Sequence, residues 1–157
     1  MDKKHYKYAI GWNIFLFIII PFLAVFYPAE GDCSQQVRVV VKIIYASKDK
    51  KSIDPRIKDL VADLNSAFVF SSYDLVDQKI FFLKTDEKGV FDIRGGRRLI
   101  ITSNGVKAGK AALKIECKKD HKEIIKTNID FRNNGDTTIA LPAKKGDKLF
   151  LHILATF

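Results

Sequence analysis

From Lys110 to Arg132, apolar and polar side chains change places at almost every step. Ala111, Leu113, Ile115 and Cys117 alternate with Lys110, Lys114, Glu116 and Lys118. Beyond Lys119-Asp120-His121 the pattern resumes, with Ile125, Ile129 and Phe131 on one side and Lys126, Asn128, Asp130 and Arg132 on the other. A repeat of two is that of a pleated strand, whose successive side chains leave opposite faces. Each run therefore predicts a strand buried on one face, and the polar residues between them predict a hairpin turn.

The same logic organises the rest of the chain. Val37, Val39, Val41, Ile43 and Tyr45 alternate with Arg38, Val40, Lys42 and Ile44, which predicts another half-buried strand. Leu75 and Ile80-Phe81-Phe82-Leu83 supply strand-forming apolar mass. Val90-Phe91-Asp92-Ile93 and Leu99-Ile100-Ile101 flank Arg94-Gly95-Gly96-Arg97, a hairpin signal because the favoured tight turns need positive φ at both central positions. Asn104-Gly105 and Lys107-Ala108-Gly109 read together as the next turn, and Asn133-Asn134-Gly135 as another. Thr137 to Leu141 is a short strand ended by Pro142, and Leu149, Leu151, Ile153, Ala155 and Phe157 form a last one. One helix interrupts the series. Asp54 caps it, Pro55 fits its first turn, and Ile57, Leu60, Val61 and Leu64 form a single apolar stripe, as in a helix lying on its own sheet. Turn signals about every 8–12 residues predict a mainly β fold, an antiparallel β-sandwich of about eight strands with one short α-helix. Residues 32–157 read as one such domain.

The first 31 residues are of another kind. A positive stretch with Lys3, Lys4 and Lys7 precedes an apolar run from Ala9 to about Tyr27, and Pro28-Ala29-Glu30-Gly31 follows. This is the arrangement of a secretory signal peptide, with cleavage expected after Gly31. The alternative is an uncleaved membrane anchor, since the run approaches the length needed to span a bilayer. A lipoprotein fits less well, because Glu30-Gly31-Asp32 precedes Cys33 where small residues are needed. The expectation is an exported chain in a periplasmic or equivalent extracytoplasmic compartment, possessing a membrane contact only through this segment if it is retained.

Export permits disulfides, so Cys33 and Cys117 can form a bridge. Cys117 also falls in phase with Leu113 and Ile115, as a buried small hydrophobe would. Both readings stand. Chemistry is otherwise scarce. There is no Cys-x-x-Cys, and His121 and His152 lack neighbouring ligands of the kind a metal site needs. Ser71-Ser72 lacks a nucleophile-elbow sequence, and Gly95-Gly96 sits between strands instead of opening a helix, as a phosphate cradle would. The reading is of no catalytic residue, no metal and no cofactor.

Charge is the remaining signal. The chain carries 27 Lys and Arg against 18 Asp and Glu. The excess clusters in turns: Lys48, Lys50 and Lys51; Arg94, Arg97 and Arg98; Lys118, Lys119 and Lys122; Lys144, Lys145 and Lys148. Alternate hairpins of a sandwich collect at one end, which would gather these turns into a positive rim. Arginine suits such a rim because it grips carboxylates with two hydrogen bonds. The candidate partner-binding residues are Arg94, Arg97, Arg98, Lys118, Lys119, Lys122, Lys144 and Lys145. The plain alternative is that lysines in turns protect sheet edges. Nucleic acid is a poor fit, since the aromatics alternate into the core and do not interleave with the basic turns.

Three stretches, Asp54-Pro55-x-Ile57-x-x-Leu60, Phe70-Ser71-Ser72-Tyr73 and Gly95-Gly96-Arg97-x-Leu99, resemble small exported bacterial proteins. With the Lys/Ile-rich composition, the chain also resembles accessory proteins of anaerobic ammonium-oxidising bacteria. That resemblance implies a role in assembling large multihaem oxidoreductase complexes. Its motifs are turn and core residues, so it implies no site residues. The expected function is an exported, non-enzymatic interaction module, an accessory or assembly factor that docks through basic loops on an acidic protein. The alternative is a carbohydrate- or envelope-binding β-sandwich, for which Tyr73 is the one candidate exposed aromatic.

Overall fold

The computed structural model describes residues 35–49 and 51–157, with Lys145 described by its backbone alone. The expected leader and Cys33 lie outside the described residues. The elements are β1 (Val37–Ser47), β2 (Ser52–Ile53), a 3-10 turn (Pro55–Ile57) running into α1 (Lys58–Ala67), β3 (Ser72–Leu83), β4 (Lys88–Ile93), β5 (Arg97–Lys107), β6 (Lys110–Lys119), β7 (Lys122–Arg132), β8 (Gly135–Pro142), a 3-10 turn (Lys144–Gly146) and β9 (Lys148–Thr156). The fold is mainly β with one short helix. Two sheets form, one of five strands in the order β2-β3-β1-β9-β8 and one of four in the order β4-β5-β6-β7.

Every pairing is antiparallel except that of β2 with β3, which is parallel. β2, Ser52–Ile53, directly follows the lysines of the turn after β1. The inner faces of both sheets contribute to one apolar cluster. Val39, Val41, Ile43, Leu151 and Ile153 come from the first sheet, and Leu99, Ile101, Leu113, Ile115 and Cys117 from the second, all fully buried. Their strict alternation with outward charges is what fixes the register, because a slip of one residue would turn each strand inside out.

β1 departs from the half-buried expectation. Ile44 and Ala46, on its other face, are as buried as Val39 and Val41. They belong to a second cluster with Ile57, Val61, Leu64, Tyr73 and Phe150, because α1 lies on that side of the five-stranded sheet. The helix begins as its sequence implies. Asp54 accepts a hydrogen bond from the Arg56 amide at 2.9 Å, Pro55 follows it, and the Arg56 guanidinium grips the same carboxylate at 2.6 Å. That guanidinium holds the Asp54 carboxyl well below the usual carboxylate range.

The turns are mostly as read, with one correction. Gly95 and Gly96 both take positive φ between β4 and β5. Asp120 and His121 do so between β6 and β7, and Ala108 and Gly109 between β5 and β6. Asn104-Gly105 is not a turn: it is a bulge inside β5, where the register with β6 shifts between Ser103 and Val106. Gly105, at φ +87, faces the Thr85 side chain there.

The registers also place the connections. Ala46 of β1 and Pro142 of β8 both pair with Lys148 at the start of β9. Tyr45 donates its hydroxyl proton to Asp147 in the turn before β9. The β1 exit and the β8–β9 turn thus share one end of the domain. Val37, where the chain enters β1, pairs with Leu83 at the opposite end, about 33 Å away at 3.3 Å per strand residue.

Candidate functional site

The eight basic residues singled out in the sequence lie on three connections or at the strand ends that flank them, and two contacts show that these connections meet. The Asp120 amide in the β6–β7 turn bonds the Gly96 carbonyl in the β4–β5 turn at 3.4 Å. An Arg97 Nη2 bonds the Pro142 carbonyl at 2.7 Å, which ties the β4–β5 hairpin to the β8–β9 turn across the two sheets. The β1–β2 loop with Lys48 and Lys51 opens at this same end. A shallow cleft of about 520 Å³ runs beside the turns, lined by Arg97, Arg98, Lys118 and His121 with Asp92 and Asp120.

The eight residues do not all do the same thing. Arg98 is held by Asp92, its register partner, at 2.6 Å, and the pair lowers the carboxyl of Asp92 from its ordinary value. Arg97 is turned inward, where its Nε is buried without a hydrogen-bond partner among the described residues and its charge lies near the Cys117 thiol. Both arginines are therefore engaged within the domain. Arg94, Lys118, Lys119, Lys122 and Lys144 form no ion pair among the described residues. Arg94, Lys119, Lys122 and Lys144 are exposed, and Lys118 is half-buried. Lys145 follows Lys144 in the 3-10 turn.

Cationic side chains continue from this end onto the outer face of the four-stranded sheet. Lys118 stands in register beside Arg98, and Glu116 lies between Lys114 at 3.3 Å and Lys126 at 3.9 Å. The even positions of β5 and β6 already mark this face in the sequence, although only the turns stand out as clusters.

Tyr73, expected as an exposed aromatic, is buried. It is 1 % exposed, and its hydroxyl donates to Asn65 Oδ1 at 2.7 Å. It packs with Phe70 and Phe150 beneath α1, so it offers no platform to a sugar ring. Among the described residues, the large aromatic that is exposed is Phe82, on the outer face of β3. Cys117 is fully buried between the sheets, and that burial pushes its thiol up from the ordinary value.

A second concavity escapes sequence reading. His152 of β9 is buried beneath α1, in a cleft of about 220 Å³ lined by Ile44, Leu64, Phe68, Asp63, Asp136 and Thr138 among others. Its Nδ1 lies 3.1 Å from the Thr138 hydroxyl and 3.7 Å from Asp136. Burial pushes the imidazole pKa down, against the opposing pull of Asp136 and Asp63. Hydroxyl and carboxylate address the same ring nitrogen, so the ring cannot pass a proton from one to the other as a nucleophile–base–acid relay requires. The sequence signal is thin: His152, Thr138 and Asp136 are neighbours only through the β8–β9 register.

Among the described residues, no group of three or more His, Cys, Asp or Glu side chains converges to hold a metal ion, and no helix is long and apolar enough to cross a membrane. No protein-family model, no curated protein and no solved structure matches this chain.

Proposed function

We propose that this chain is an exported, non-enzymatic interaction module, a β-sandwich carried behind an N-terminal signal or anchor helix. It docks on an acidic protein of an extracytoplasmic complex as an accessory or assembly factor. The observation that carries this reading is the meeting of three basic connections at one end, through the Asp120–Gly96 and Arg97–Pro142 contacts. Arg97 and Arg98 shape that end. Arg94, Lys118, Lys119, Lys122 and Lys144, with Lys145 beside them, present the charge. The chain enters the domain at the opposite end, which leaves these turns clear of the entry point.

Docking of this kind is electrostatic and depends on salt, because exposed charges are screened beyond about 8 Å at physiological ionic strength. The test is affinity capture from native extract at about 50 mM and about 300 mM salt, repeated with the triple variant Arg94→Glu, Lys119→Glu, Lys122→Glu. The expected result is an acidic partner retained at low salt, released at high salt and lost in the variant. Capture unaffected by the triple variant, or only monomer recovered at low salt, overturns the reading.

A further inference from the structure

We propose that the free edge of β7 pairs with the same edge of a second copy of this chain, so that two four-stranded sheets join into one continuous sheet. β7 ends the order β4-β5-β6-β7, and among the described residues no strand pairs with its outer edge. A strand edge presents unpaired amides and carbonyls, and edges that must stay single are blunted. The other edges are blunted in this way. Past β2, β3 carries a register shift against β1 and an inward Lys79, whose ammonium lies over the Phe81 and Phe91 rings and bonds the Val90 carbonyl of β4 at 3.0 Å. β4 is six residues long, and β8 ends in Pro142, which has no amide proton to offer. β7 instead runs in unbroken register from Ile125 to Arg132, with no proline and no charge on its inner face.

Charge complementarity names the occupant. The outer side chains of β7 run Lys126, Asn128, Asp130, Arg132. An antiparallel pair centred on Asn128 sets Lys126 of each copy opposite Asp130 of the other, so the same ion pair forms twice. Arg132 comes level with Ile124 of the second copy, beside Glu123, which lies 3.9 Å from Lys126 on the same face. A shift of two residues one way sets Lys126 opposite Arg132, and the other way Lys122 opposite Arg132, both like-charge pairs. A shift of one residue sets the apolar face of one copy against the charged face of the other. On the inner face the centred pair brings Ile125 opposite Phe131 and Thr127 opposite Ile129. Ile125 and Ile129 are half-buried in the single chain, and a second strand completes their cover.

A lysine on an edge is also a device that keeps strands apart, and Lys126 alone would serve that end. A lysine and an aspartate spaced evenly about Asn128 attract a copy instead. Within its own sheet Asp130 stands opposite Ala112, and Arg132 stands opposite Lys110, so β6 supplies neither with an opposite charge in register.

The test is analytical ultracentrifugation of the full chain in a non-ionic detergent, in a Cys33→Ser background, joined to disulfide trapping. The expected result is a reversible dimer at micromolar concentration. Lys126→Asp and Asp130→Lys should each weaken it at least about tenfold, because each sets like charges opposite one another twice. The double variant exchanges the two charges and should return the affinity to within about threefold of the parent. Asn128→Cys should cross-link on oxidation, since the axis of the pair brings its two copies within about 5.5 Å. Lys126→Cys should not, because its copies lie about 13 Å apart at roughly 3.3 Å per residue, beyond the ~7 Å that a disulfide spans. A chain that stays monomeric overturns the proposal. So does a dimer indifferent to the single charge changes, as one held by the N-terminal segment would be, and so does equal cross-linking at positions 126 and 128. If a charge variant fails to fold, the two cysteine variants decide the matter.

Discussion

The two sheets share an inner core, but their outer faces are put to different uses. The five-stranded sheet is closed a second time by α1, so Ile44, Ala46, Tyr73 and Phe150 are buried away from the shared core. The four-stranded sheet has charged side chains on its outer face, with Asp92, Arg98 and Lys118 in one cross-strand row and Glu116 between two lysines in the next. One outer face is used for packing, while the other remains in contact with water or with whatever binds there. The difference separates residues that hold the fold from residues that are free to serve it.

The strongest way to break this contrast is to open the helix-covered face. Phe150 is fully buried, with ring centroids 4.8 Å from Phe68, 6.1 Å from Phe70 and 6.5 Å from Tyr73. Phe150→Ala should cost about 3–5 kcal/mol, the usual range for emptying a packed aromatic site. Urea unfolding measures it. A loss below about 1 kcal/mol would mean that α1 covers the sheet loosely and that the second cluster is no core at all.

The same contrast explains what can be read from sequence. The four-stranded sheet is transparent, because one face is wet and Lys114, Glu116 and Lys118 must alternate with Leu113, Ile115 and Cys117. β1 is half transparent. Once a helix covers its second face, Ile44 and Ala46 are no longer distinguished from Ile43, and the period that marks a single buried face fails. The Asp54-Pro55 cap is readable because its partners are adjacent in sequence. The His152 cleft is not, since Asp63, Asp136 and His152 come from three elements that only the tertiary fold brings together. The basic end lies between these cases. Its charge is visible, but nothing local shows that Arg97 and Arg98 are used internally while Arg94 and Lys119 form no ion pair among the described residues.

Cys117 tests the shared interior from the four-stranded side. Its thiol is buried and held in its neutral form, so modification should await unfolding. Cys117→Ser replaces that thiol by a hydroxyl without a partner and should cost about 1–3 kcal/mol. Cys33→Ser should leave stability unchanged, and the denatured, unreduced chain should show two reactive thiols. Equal losses in both variants, with no reactive thiol, would instead establish a Cys33–Cys117 bridge.

His152 makes a smaller claim that depends on pH. The folded state lowers its pKa below the ordinary 6.5 through burial, so the unfolded chain takes up the proton first. Its neutral form therefore supports the fold fully above about pH 6.5, and that support is lost as the pH falls through the folded value. Urea midpoints should decline over this window, and His152→Gln should flatten the decline. A midpoint that rises on acidification would mean the imidazole is stabilised as a cation.

The smallest effect sharpens the comparison most. Glu116 lies on the bare face with its side chain 15 % exposed, near two lysines that are 35 % and 52 % exposed. Ion pairs with that much solvent access contribute about 0–1 kcal/mol, because water screens them and two long side chains lose freedom. Glu116→Gln should therefore change stability by no more than about 0.5 kcal/mol, while it adds one positive charge to the face. If that face lies within the docking surface, affinity for the acidic partner should rise as stability stays constant. A loss above about 2 kcal/mol would show that Lys114, Glu116 and Lys126 form a structural network. The outer face of the four-stranded sheet would then hold the fold together just as the face beneath α1 does, and the docking surface would shrink to the turns alone.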